Sequence, residues 1–166
     1  MPRKILLLFS IMLLWITSNS QVSIGKKIKV VNYDQLEPYL NKSNDTVYLV
    51  NFWATWCAPC IKELPAIKSV EQKYINSKFK VLLVSLDFSK DLTSRLEPFV
   101  KSKNITSDVF LLNDPDQNRW IDKIDPGWTG EIPFTIIYGK HFREFYPRTF
   151  TFEELDSIIN LKLNLL

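Results

Sequence analysis

Histidine is almost missing from this 166-residue chain, with His141 alone, and cysteine occurs only twice, at Cys57 and Cys60. A zinc site takes about four protein ligands, or three plus water. Two thiols and one histidine remote in sequence do not supply them, so no metal ligands are assigned. Neither sign of charge dominates, since 21 Lys and Arg stand against 18 Asp and Glu for a net charge of +3. Two of those cations, Arg3 and Lys4, lie in the first 20 residues, and without them the balance is only +1. A surface so nearly neutral implies no polyanion partner, and no nucleic acid in particular. The one long apolar stretch, 5–16, is shorter than the roughly 20 residues that span a bilayer. Repeats, low-complexity tracts and signs of a second domain are all missing.

What is present suits one globular domain: 46% of the residues are hydrophobic, enough for a sizeable core at this length. Arg3 and Lys4 precede the apolar stretch, and the small residues Ser18 and Ser20 come just before Gln21. That pattern predicts a signal peptide over 1–20 and a mature domain over 21–166. An uncleaved leader would instead be a membrane anchor. Either way the chain is expected to be exported, into the periplasm in a bacterium, where disulfides persist.

Residues 49–60 organise the rest: Leu49-Val50-Asn51-Phe52-Trp53-Ala54-Thr55-Trp56-Cys57-Ala58-Pro59-Cys60. An apolar strand-forming run ends in Trp-Cys-x-x-Cys, and a helical pattern follows at once. A thiol at a helix N-terminus meets backbone N–H groups that lack partners and the positive end of the dipole, both of which favour thiolate. Pro59 suits the first turn, where its missing N–H costs nothing. Two plainer readings compete. A structural bridge closing so short a loop removes only about 2 kcal/mol of unfolded-chain entropy. A metal site lacks ligands. Redox chemistry of the dithiol is the reading that the spacing favours.

Around this stretch the patterns predict, in order, an edge strand over 24–31, a short helix over 33–40 and a buried strand over 47–54. A helix then runs to about 76 with Pro65 inside it, followed by a buried strand over 81–88. In the stretch 89–132, Asp91 is expected to cap a helix turning Leu92, Leu96, Phe99 and Val100 inward, and 109–112 to form a short strand. Asp114-Pro115 reads as the cap and first turn of a helix bearing Trp120, Ile121 and Ile124. Residues 134–138 and 141–146 form a hairpin. Thr151-x-x-Glu154 is a capping box that opens a last helix. The alternation predicts an α/β sandwich with a mixed sheet.

The residues Phe52-Trp53-Ala54-x-Trp56-Cys57-x-Pro59-Cys60, Pro65, and Ile132-Pro133 before the hairpin resemble the thioredoxin superfamily. With Lys62-Glu63-Leu64-Pro65, the block is similar to TlpA/ResA-type extracytoplasmic thioredoxins, over roughly 24–163. The resemblance implies a thioredoxin-like fold, α/β with a mixed central sheet in strand order 1-3-2-4-5 flanked by helices, and an insert before a cis-proline at Pro133. It implies an enzyme exchanging thiols and disulfides with protein partners. The only redox group is the Cys57–Cys60 pair, with no bound cofactor, and a membrane or soluble electron donor recharges it. Cys57 would be the exposed nucleophile and Cys60 the buried resolving thiol. Where thioredoxin has a buried aspartate this chain has Asn51, so Glu63 becomes the proton acceptor for Cys60. Trp56 flanks the site, Ile132 offers backbone groups to an extended substrate beside Pro133, and Ile61 makes the surrounding surface more apolar. Trp128 either extends that surface or caps the core. Ala58-Pro59 adds no charge, which favours reduction over oxidation. Two other classes remain: a copper carrier, if His141 lay near the thiols, and a non-catalytic binding module.

Overall fold

Residues 27–166 are described by the computed structural model. The leader expected over 1–20, residues 21–23 and the start of the strand expected over 24–31 lie outside them. The apolar run before the cysteines becomes strand β2 (Val47–Trp53), in which every residue is buried. The other strands are β1 (Lys29–Val31), β3 (Phe79–Ser85), β4 (Asp108–Leu112), β5 (Phe134–Gly139) and β6 (Phe142–Tyr146). They form one sheet in the order β1-β4-β3-β2-β5-β6. The first four strands in that order are parallel; β5 runs antiparallel to them, and β6 returns antiparallel to β5 as the second arm of a hairpin.

The five-strand order implied by resemblance becomes six because β4, from the stretch before Pro133, enters the sheet between β1 and β3. The reason is burial. Val109 to Leu112 are all buried and need neighbours on both sides, whereas β1 is short and mostly exposed, as an edge strand is.

Among the described residues five α-helices cover the sheet: α1 (Tyr33–Leu40), α2 (Ala58–Lys73), α3 (Glu97–Ser102), α4 (Gln117–Ile124) and α5 (Phe152–Leu163). The period of two along β2 splits its side chains between the layers. Leu49 and Trp53 face one core with Leu64 and Ile67 of α2, Leu96 and Val100, and Leu155 and Ile159 of α5. Val50 and Phe52 face the other, with Tyr33, Leu36 and Leu40 of α1 and Trp120 and Ile124 of α4. Among the described residues no helix is long and apolar enough to cross a membrane.

The caps divide. Thr151 and Glu154 form the expected box at the start of α5, and Asn32 with Gln35 forms another at α1. Asp91 makes no capping bond; a short turn over Ser89–Asp91 and a π-helical turn over Leu92–Leu96 lead into α3 instead. Asp114 does not cap α4 either. Its carboxylate accepts from the Tyr33 N–H at 3.0 Å and from Arg119 at 2.9 Å, tying α1 to α4. Asp116 takes over as the cap.

Trp128 sits in the second core, stacked on Phe134 with ring centroids 4.4 Å apart, and its indole N–H donates to the Glu131 carbonyl at 2.8 Å. Trp128→Ala is therefore expected to lower the unfolding free energy by about 3–5 kcal/mol. Trp56→Ala, at an exposed position, should change it by no more than about 0.5 kcal/mol. Urea unfolding of the oxidised protein compares the two.

Candidate active site

The site is built where β2 hands over to α2. The Cys57 N–H donates to the Ala54 carbonyl at 3.1 Å, which turns the chain, and the Ile61 N–H donates to the Cys57 carbonyl at 3.0 Å, which begins the helix. Cys57 is the helix N-cap, with extended backbone dihedrals, and its Sγ accepts from the Cys60 N–H at 3.3 Å. The sulfur thus occupies the place that a Ser or Asp oxygen usually takes. The two cysteines are joined in a disulfide, with an S–S distance of 2.04 Å.

Cys57 was expected to be exposed, and it is not: it is 5% exposed and Cys60 1%. The physical reason is the cap itself, which folds Sγ back over the first turn and against the opposite loop. That loop carries the Ile132–Pro133 bond, which is cis. The Ile132 carbonyl oxygen lies 3.7 Å from Cys57 Sγ. A bridged sulfur has no proton to donate, so this is proximity rather than a hydrogen bond. Pro133 is buried and Ile132 half-buried, packed against both cores. Trp56 is 52% exposed, which places it on the surface beside Cys57 and not in the core. Ile61 is half-buried. Trp128 belongs to the core and does not extend the exposed surface.

Beneath the cysteines lies a polar cluster. Cys60, Glu63, Leu64 and Ile67 share the buried face of α2 at helical spacing. Asn51 points to the same side of the sheet as Leu49 and Trp53, and Thr135 is its directly paired partner across the β2–β5 ladder. The Asn51 amide donates to Thr135 Oγ1 at 2.9 Å and to Glu63 Oε2 at 3.4 Å. Glu63 Oε1 accepts from the Phe150 N–H at 2.9 Å, which joins the loop before α5 to α2. Glu63 is only 2% exposed. Loss of hydration on burial pushes its carboxyl up from 4.5 to about 7, against the smaller opposing effect of these two hydrogen bonds. Asn51 Oδ1 and the Trp53 indole N–H are buried without a hydrogen-bond partner among the described residues. A surface groove lined by Pro59, Lys62, Phe150 and Glu154 reaches Glu63 from solvent.

A second anchor holds the other side of the junction. Asp87, just past β3, accepts from the Thr55 N–H at 3.0 Å, from Thr55 Oγ1 at 2.5 Å and from Ser85 Oγ at 2.7 Å. Thr135, the Phe150 backbone and this Asp87 clamp had no assigned role in the sequence. A lone acid ending an apolar strand is a visible signal for Asp87, whereas Thr135 is found only once the β2–β5 register is known. His141 is exposed in the β5–β6 turn, at the end of β5 away from Pro133. The rise along the strand separates the two by about 20 Å.

Because the native state keeps the Glu63 proton to about pH 7 while the unfolded chain releases it near 4.5, stability should fall as pH rises through that window. Glu63→Gln removes the slope. Between pH 4.5 and 8 the wild type is expected to lose about 2–3 kcal/mol relative to the variant, measured by urea unfolding at each pH. Parallel pH profiles for the two proteins would show that Glu63 ionises normally in the fold.

Residues 27–100 match the family described as Thioredoxin. Over 71 residues, 43% of this chain, the sequence is 32% identical to sporulation thiol-disulfide oxidoreductase A of Bacillus subtilis, covering 42% of that protein. Over 54 residues, 32% of this chain, it is 35% identical to the thiol-disulfide oxidoreductase ResA of Oceanobacillus iheyensis, covering 28% of it. The chain thus matches less than half the length of these two curated relatives. The solved structure of a DsbF homologue from Corynebacterium diphtheriae matches with a TM-score of 0.57 at 26% identity, over 72% of this chain and 73% of that one. The likeness runs through the sequence up to residue 100 and through the backbone well beyond it, and the fold is thioredoxin-like.

Proposed function

We propose that the protein is an exported thiol–disulfide oxidoreductase of the TlpA/ResA type that reduces protein disulfides. The observation that carries this reading is the placement of Cys57 Sγ at the start of α2, bonded to Cys60 and facing the cis Ile132–Pro133 bond. Export rests on the charged, apolar and small-residue pattern of 1–20.

In the reduced protein, the Cys57 thiolate attacks one sulfur of a substrate disulfide. A Cys57–substrate bond forms, the substrate S–S bond breaks, and the departing substrate thiolate takes a proton from water. Cys60 then gives its proton to Glu63 and attacks Cys57 Sγ, which closes the Cys57–Cys60 bond and releases the second substrate thiolate. Two electrons pass from the dithiol to the substrate, and an external membrane or soluble dithiol donor restores the reduced state. Glu63 suits its part because a carboxyl held near 7 can accept a proton and return it at neutral pH. Ile132 and Pro133 hold the substrate as an extended segment, and Trp56 supplies apolar contact. Nothing favours the copper reading, since His141 lies at the far end of the hairpin.

Cys60→Ser, which keeps the nucleophile and removes the resolving thiol, should accumulate mixed disulfides with exported proteins in cells, and adding Cys57→Ser should abolish them. Non-reducing gels and mass spectrometry of the bands check this. A normally expressed and exported Cys60→Ser protein with no covalent partner would argue against a protein disulfide as substrate. In stopped flow, Glu63→Gln should slow resolution of the mixed disulfide by up to about 10²-fold, while the initial attack by Cys57 keeps its rate.

A further inference from the structure

We propose that Phe88 is a substrate-contacting, specificity-determining residue of this site, and that with Trp56 it binds an apolar residue flanking the attacked cysteine of the substrate. The proposal rests on the thiol–disulfide reading above and deepens it by naming what the site selects.

Exposure singles the residue out. Phe88 is 63% exposed, and it and Trp56 are the only exposed Phe, Tyr or Trp side chains among the described residues. The other large exposed apolar side chains are aliphatic and lie elsewhere: Val30 on the edge strand, Ile75 beyond α2, and Leu161, Leu165 and Leu166 at the C-terminal end. The fold gains nothing from leaving a phenylalanine ring in water, and isolated exposed apolar residues are common enough to need no explanation. Here the backbone that carries the ring is fixed relative to the segment that carries the nucleophile.

The Asp87 clamp does the fixing. Its carboxylate, itself buried, accepts from both the backbone N–H and the hydroxyl of Thr55. One residue before, the Leu86 N–H donates to the Trp53 carbonyl at 2.8 Å, which continues the β2–β3 pairing beyond the strand ends. The two chain segments therefore leave the sheet together. Trp56 follows Thr55 on one and Phe88 follows Asp87 on the other, so each aromatic residue stands one position past the clamp, and Cys57 stands one past Trp56. Two segments tied together in this way, each carrying an exposed ring and one of them the reactive sulfur, form a surface preorganised for an apolar side chain, with little ordering left to do on binding.

Main-chain pairing at Ile132 would hold an extended substrate without reading its sequence. Discrimination then falls to side-chain contacts, and Phe88 and Trp56 offer apolar area for that. Lys90 Nζ lies 5.6 Å from the Phe88 ring centroid, so an acidic residue next to the apolar one should add to the preference.

The test uses the full chain, reduced with dithiothreitol, on disulfide-linked dimers of a serine-rich octapeptide with one cysteine. In the panel, leucine replaces serine at each flanking position in turn. Rates are normalised to bis(2-hydroxyethyl) disulfide, which is too small to span the site. Wild type should prefer the best leucine peptide over the all-serine peptide by about tenfold in kcat/KM, the size expected when one apolar contact is buried at an interface. F88S should lose most of that preference through KM rather than kcat, and F88L should restore part of it, with the urea midpoint of both variants unchanged. A leucine preference that survives in F88S, no preference in wild type, or an equal slowing on every peptide would overturn the assignment. A wild-type protein that reduces the peptides well but without a Phe88 effect leaves the redox reading standing. One that reduces no disulfide at all, the small one included, overturns both.

Discussion

The capping of α2 by a sulfur atom is the interaction on which the rest of the site depends. A helix N-terminus needs acceptors for its first N–H groups, and here the Cys57 side chain provides one. That position is available only because β2 stops at Trp53 and the chain turns through Ala54 before the helix begins. The same geometry that satisfies the helix also stabilises negative charge on the sulfur once the bridge is reduced. Thr55 is pinned from outside the turn by Asp87, and the Ile132–Pro133 loop lies against the sulfur on the other side. The sulfur is held in place by its surroundings and has little freedom of its own.

Beneath it the protein carries a carboxyl in a setting that disfavours charge. Glu63 lies on the face of α2 that otherwise buries Leu64 and Ile67, and among the described residues its side-chain hydrogen-bond partner is an asparagine, not a cation. Two hydrogen bonds do not repay the lost hydration, which is why its proton is held up to about pH 7. This arrangement costs stability at neutral pH and leaves a titratable carboxyl within the core. The link from the Glu63 carboxyl to the Phe150 N–H also makes the loop before α5 part of the same unit.

Much of this was legible in the sequence, and the misses share a cause. Strands β2 and β3 and helices α1, α2 and α5 follow from periodicity, because their side chains meet the sheet at regular intervals. The Thr151–Glu154 box was readable because both partners lie within one turn. Asp114 and Asp91 carried the same local signal, yet Asp114 serves Tyr33 and Arg119 instead, and Asp91 caps nothing. A competitor distant in sequence decides such cases, and no local window contains it. The place of β4 between β1 and β3, the burial of Trp128 against Phe134 and the small exposure of Cys57 are likewise tertiary facts. For the site, Cys57 and Cys60 stood out by residue type and spacing and Trp56 and Pro133 through the family resemblance, whereas Thr135, Asp87 and Phe88 acquire meaning only from the register that brings them alongside.

The central claim is that the helix start, acting on Cys57 alone, divides the labour between two otherwise identical thiols. The most direct measurement is the alkylation rate of each cysteine in the fully reduced protein across pH, followed by peptide mass spectrometry. The account predicts that Cys57 reacts first at neutral pH, with a midpoint below the roughly 8.5 of a free thiol, and that Cys60 reacts far more slowly with a higher midpoint. Faster reaction at Cys60, or a Cys57 midpoint at or above that of a free thiol, would contradict it.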